Sequence, residues 1–168
     1  AAEDGLAVIA AEDQKFPHHM GFDLPAIKDA MERNAAGGRT RGASTISQQV
    51  VKNLYLWPSK GIFRKGLEAY LTLWIELLLP KGRILEIYLN IAQFDDHVFG
   101  VAAAGRHFFG VTPAYLTSYR SALLASVLPS PTRYSVEKPS GYLRERVGWI
   151  LNQMAGLGKG YLKEMDWR

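Results

Sequence analysis

Apolar residues recur along this chain at intervals of three and four, and nowhere alternate for long at intervals of two. That period belongs to helices with one buried face. Leu6, Ile9 and Ala10 form a short apolar face that ends at Glu12. Asp23 can cap a second helix with Pro25 in its first turn, and the run "AAGG" at 35–38 stops it. Ile46, Val50 and Leu54 recur at every fourth position of a third helix, which Thr45 and Gln48 open with capping-box spacing. Leu67, Tyr70, Leu71, Trp74 and Leu78 define the apolar stripe of a fourth, ended by Pro80. Ile84, Ile87, Tyr88 and Ile91 define a fifth. The Leu-rich stretch 117–128 stops at Pro129, and Leu143, Val147, Ile150 and Met154 mark a last amphipathic helix. Turn residues gather at 35–44, 93–100 and 129–141. The pattern predicts one mainly α-helical domain over residues 1–168.

Composition narrows the functional classes. With 48% hydrophobic residues in 168, the chain has material for one real core. The absence of cysteine excludes disulfides, thiol nucleophiles and cysteine-based metal sites. A net charge of +4 suits an anionic partner such as phosphate groups or an acidic membrane surface, and no nucleic acid is expected. The longest apolar run, in "LTLWIELLLP", is interrupted by Glu76 and is too short to span a bilayer.

Candidate chemistry lies in the polar residues of three stretches. In "AAEDQKFPHHMGFD" the acid pair Glu12–Asp13 closes an apolar segment, where partial burial can raise a carboxyl pKa into the range of general acid–base work. In "RGASTISQQVVKNLYL" the side chains of Gln48, Gln49, Lys52 and Asn53 share the face opposite the apolar stripe. Amides, an ammonium and the free N–H groups of a helix start suit a sugar and an anion, although a solvated face has the same spacing. In "RKGLEAYLTLWIE" the same ambiguity holds for Arg64, Lys65, Glu68 and Thr72. Arg64–Glu68 is either a surface ion pair or, with Lys52 and Lys60, part of a basic pocket around a second carboxylate. The adjacent residues Asp95, Asp96 and His97 are poorly spaced to converge on one metal ion.

Taken in order, "EDQKFPHHMGFD", "RGASTISQQVVKN", "RKGLEAYLTLWIE" and "KGRILEIYLNIAQF…FG" resemble the motifs of the peptidoglycan glycosyltransferases of family 51, closest to their monofunctional branch. The likeness covers residues 8–156, and "AAAGRHFFG…LTSYRSALLASVLPSPTRYS" is similar to a fifth family segment. The resemblance implies a lysozyme-like helical fold that polymerises glycan strands from lipid II, with inversion and release of undecaprenyl diphosphate. It makes Glu12 the general base and Glu68 the second catalytic carboxylate. Lys52, Lys60, Arg64 and Lys65 would bind diphosphate, and Ser44, Gln48, Gln49 and Asn53 would read sugar and phosphate. Asp13 and His19 would hold the loop.

No cofactor is obligatory on this reading, with Mg2+ or Mn2+ beside Glu68 as an optional addition. The implied partners are lipid II, the growing strand, the membrane surface and cell-wall synthesis proteins, at the periplasmic face of the inner membrane. Relatives carry an N-terminal transmembrane helix, which this sequence does not include. Departures from the family pattern are Ala43 for a second Gly, Lys60 for Arg, and Gln93, Asp95 and Asp96 for Glu and Gly. The alternatives are a lysozyme-like hydrolase or lytic enzyme, and a non-catalytic module that binds lipid II or peptidoglycan. For the membrane contact, "NLYLWPSKGIFRKG" predicts exposed Trp57, Ile62 and Phe63, with Leu54 buried as the end of its helical stripe.

Overall fold

The computed structural model describes residues 2–35, 37, 44–58, 61–165 and 167. Lys60 and Ala43 lie outside them. Among the described residues the chain forms α1 (Ala2–Glu12), α2 (Leu24–Ala35), α3 (Ile46–Tyr55), α4 (Ile62–Leu78), α5 (Lys81–Ile91), a hairpin of β1 (Gln93–Asp95) and β2 (Val98–Phe99), then α6 (Val101–Phe109), α7 (Ser118–Val127) and α8 (Gly141–Leu157). The architecture is mainly helical, in keeping with the lysozyme-like domain that the resemblance implied.

Helix α1 is the centre of the core. Every residue from Asp4 to Ala10 is buried, because α5, α7 and α8 pack around it. Small and branched side chains allow that all-round burial, and Asp4 is accommodated by accepting a 2.7 Å hydrogen bond from Ser121 Oγ. Helix α3 packs on α4 and α5 and joins them to this core.

Several predicted caps are present. Asp23 Oδ1 accepts from Ala26 N at 3.1 Å, and Thr45 with Gln48 completes a capping box. The short hairpin at 93–99 and helix α6 were not legible in the pattern. Strands of three and two residues give alternation nothing to act on, and Gly105 interrupts the apolar run of α6. Gly100 turns the hairpin into α6 at φ 81°, where a Cβ would lie 2.6 Å from Asn90 O.

Two expectations about buried faces are overturned. Leu54 is 45% exposed, whereas Ile46, Val50 and Val51 are buried. Each four-residue step advances 400° around a helix, so a stripe of fourth positions drifts outward, and by Leu54 it has left the core. More consequentially, α4 buries its polar residues. Glu68, Thr72 and Glu76 are inside, while Tyr70, Trp74 and Leu78 of the predicted stripe are exposed and Leu67 and Leu71 are half-buried. Glu76 can be inside because Ser47 Oγ and Lys81 Nζ both donate to its Oε1, and Lys81 lies over the Phe16 ring at 4.4 Å. The other side of α4 therefore carries an apolar surface with no protein partner among the described residues.

Candidate active site

Glu12 is the last residue of α1, and its side chain is 14% exposed. Gln49, one turn into α3, donates from Nε2 to Glu12 Oε2 at 3.0 Å. Arg146 of α8 stands 3.6 Å from Oε1, and among the described residues that oxygen accepts no hydrogen bond. Burial pushes the Glu12 carboxyl above its usual range. The Gln49 bond and the charges of Arg146 and Lys52 pull the other way, and Asp13 adds to the rise. An elevated pKa is what a carboxylate base needs to take a proton near neutral pH.

The loop after Glu12 is fixed by Asp13 and His19, as expected. Asp13 Oδ1 is 2.9 Å from His19 Nε2, and Oδ2 accepts from Ile46 N at 3.0 Å. Gly21 N donates to His19 Nδ1 at 3.1 Å, and Thr45 Oγ1 donates to Gly21 O at 2.7 Å. The first turn of α3 is thereby tied to the loop that carries the acids.

Two cavities meet at Glu12. One, of about 400 Å³, is lined by Gln14, Lys15, Asp23, Trp149 and Gln153. The other, of about 1220 Å³, contains Gln49, Lys52, Arg133, Lys138, Tyr142 and Arg146. Ser44 borders both. The concentration of cations in the larger cavity suits a phosphate-bearing ligand, and the aromatic and amide wall of the smaller one suits a sugar. Arg146 Nε is buried and makes no hydrogen bond among the described residues.

The expected site residues thus separate. Glu12, Ser44, Gln49 and Lys52 come together. Gln48 does not join them: it is buried, and its Oε1 accepts from Thr45 N at 3.1 Å in the capping box. Its amide is used in starting α3, which removes it from ligand reading. Asn53 is exposed and lines neither cavity. Glu68 makes a separate node on α4: Oε2 accepts from Arg64 Nη1 at 2.9 Å, and Oε1 from Lys65 Nζ. With both oxygens on cations, and no cluster of three or more acidic or histidine residues among those described, the surroundings do not fit the divalent ion considered there.

Arg133, Lys138, Arg146, Trp149 and Gln153 were not singled out from the sequence. They lie far along the chain, on or just before a helix whose polar residues read as ordinary surface, and only folding brings them to Glu12.

Comparison with known proteins identifies the family. The profile described as Transglycosylase matches residues 5–155. The chain is 53% identical over 161 residues to the biosynthetic peptidoglycan transglycosylase of Shewanella oneidensis, covering 96% of this chain and 69% of that protein. It is 55% identical over 159 residues to the protein of that name from Xanthomonas campestris pv. campestris (strain B100), covering 94% of this chain and 65% of the relative. For the Pseudomonas putida (strain F1) protein of that name the identity is 54% over 162 residues, covering 96% and 69%. With cations and the Glu12 carboxylate gathered at the junction of two cavities, and with these matches over nearly its whole length, the chain belongs to the transglycosylase family.

Proposed function

We propose that this domain is a peptidoglycan glycosyltransferase that polymerises lipid II into glycan strands. The observation that carries the reading is Glu12, a half-buried carboxylate with raised pKa, at the junction of a cation-rich and an aromatic cavity. Glu12 Oε1 takes the proton of the acceptor's sugar 4-hydroxyl as that oxygen attacks C1 of the terminal muramyl unit of the growing strand. The C1–O bond to diphosphate breaks with its electron pair, the anomeric centre inverts, and undecaprenyl diphosphate leaves. Unlike a sugar alkoxide, a diphosphate needs cations more than a proton in order to leave. Lys52 in the large cavity and the Arg64–Lys65 pair on α4 are the candidates to take that charge. Glu68 contributes by holding Arg64 and Lys65 in place, rather than by donating a proton.

A lysozyme-like hydrolase or lytic enzyme would use an acid glutamate on the same sugar polymer, but it would not need Lys52, Arg64 and Lys65 for a diphosphate, and the cations favour the transferase. Enzymes of peptidoglycan synthesis act at the cell envelope, and the periplasmic face of the inner membrane is the site that fits a prenyl-linked substrate. Among the described residues no helix is long and apolar enough to cross a membrane. The exposed residues Trp57, Ile62, Phe63, Trp74, Leu77 and Leu78 offer an apolar surface that would enter the bilayer interface, with Lys65 toward the headgroups.

Incubation with lipid II tests the reading. Polymer is expected. Cleaved glycan would identify a hydrolase, and unchanged lipid a binding module.

A further inference from the structure

Behind Glu12 runs a chain of hydrogen bonds that the reaction itself does not use. Tyr88, on α5, is 1% exposed, and its hydroxyl lies 3.0 Å from Gln49 Oε1. Gln49 Nε2 in turn lies 3.0 Å from Glu12 Oε2. The polarity of this chain is set by chemistry. An ionised carboxylate only accepts, so the amide edge toward Glu12 must be the NH2 group. Gln49 therefore presents its carbonyl to Tyr88, and the phenol must donate. A phenol this deeply buried needs a partner, and Gln49 is the one it has among the described residues.

We propose that Tyr88 is a positioning residue for Glu12, acting through Gln49. By locking the amide against a flip, it keeps an N–H on Oε2 and leaves Oε1, the oxygen beside Arg146, to meet the acceptor hydroxyl. Without the phenol the Gln49 carbonyl loses its donor and the amide can turn. Its oxygen then opposes the carboxylate, which loses a hydrogen bond that favours its charged form.

The inference rests on Glu12 being the base, and the test separates the two. The pH dependence of kcat/KM for lipid II polymerisation is measured for the parent, Tyr88→Phe, Gln49→Ala and the double variant, with Glu12→Gln as the control. Phenylalanine keeps the ring and the packing, and circular dichroism with a thermal scan establishes that each variant is folded. The acid limb of the Tyr88→Phe profile should move to higher pH, with kcat/KM down roughly tenfold on that side and less on the alkaline side. If the phenol acts on Glu12 through the amide, the double variant should behave as Gln49→Ala alone.

A Tyr88→Phe profile superimposable on the parent's, or lowered equally at every pH, overturns the positioning role. Additive losses in the double variant overturn the route through Gln49. An active Glu12→Gln variant overturns the base assignment instead.

Discussion

Asp13 and His19 hold each other at 2.9 Å, and the second oxygen of Asp13 receives Ile46 N at 3.0 Å, so one carboxylate fixes both the acid-bearing loop and the first turn of α3. Because α3 also carries Gln49 and Lys52, this pair sets the relative position of Glu12 and its neighbours. Asp13→Asn, which can offer only one acceptor oxygen, should lower stability by about 1–3 kcal/mol. Polymerisation should fall by more than the unfolded fraction explains. Urea denaturation beside a lipid II assay measures both, and a variant as stable and active as the parent would show that the loop is held elsewhere.

Glu12→Gln should reduce polymerisation by about 10²–10⁴-fold or more, since the amide keeps the shape but accepts no proton. It should also stabilise the fold at neutral pH. The Glu12 pKa is raised by burial, so the folded state disfavours the ionised form. Stability in the parent is greatest below the unfolded pKa and is lost as pH rises through the folded value. Thermal scans should show the variant above the parent at pH 7 and the gap closing in acid. A constant gap at every pH contradicts the burial account.

Lys52 and Arg64 should respond differently to truncation, although both read as polar-face cations. Lys52 is exposed in the cavity, so Lys52→Ala should leave stability within roughly 1 kcal/mol and impair turnover. Arg64→Ala strips the buried Glu68 of one of its two cations and should cost roughly 3 kcal/mol. Calorimetry of the two variants decides this, and equal melting temperatures would refute the distinction.

The node under α4 makes a parallel case. Lys81→Met removes a partner of Glu76, a residue 9% exposed, and leaves its carboxylate with Ser47 as its one partner among the described residues. A loss of roughly 3 kcal/mol is expected. The double variant with Glu76→Gln should recover part of it. No recovery would mean that the lysine acts through its packing on Phe16.

The apolar outer face of α4 should bind anionic vesicles. Trp57→Ala with Phe63→Ala should weaken flotation, and adding Leu77→Ser should weaken it further at unchanged melting temperature. Equal flotation of parent and triple variant at matched salt would place the membrane contact elsewhere.

Apart from α6, the helices, several of their caps and the acid at the end of α1 were legible in the sequence, because each depends on residues within a turn or two of one another. Thr45 and Gln48 meet across one helical turn whatever surrounds them, and Pro80 ends a helix anywhere. The quoted motifs carried the family by the same local route.

What periodicity could not decide was which face of an amphipathic helix the fold would bury. For α4 the choice went to Glu68, Thr72 and Glu76: Ser47 of α3 and Lys81 of α5 donate to Glu76, whereas Glu68 is held by Arg64 and Lys65 of α4 itself and Thr72 donates to Glu68 O. Gly21, at φ 79°, brings its loop so close that a Cβ would lie 2.6 Å from Thr72. The wall of the site was likewise decided in three dimensions. Arg146 stands opposite Glu12, and Tyr88 behind Gln49, only after α8 and α5 have packed on α1 and α3. The sequence alone determined where the helices other than α6 lie and which acid closes the first of them. The tertiary structure decided what that acid faces, because a carboxylate's partners come from helices remote in the chain, and no local spacing encodes their approach.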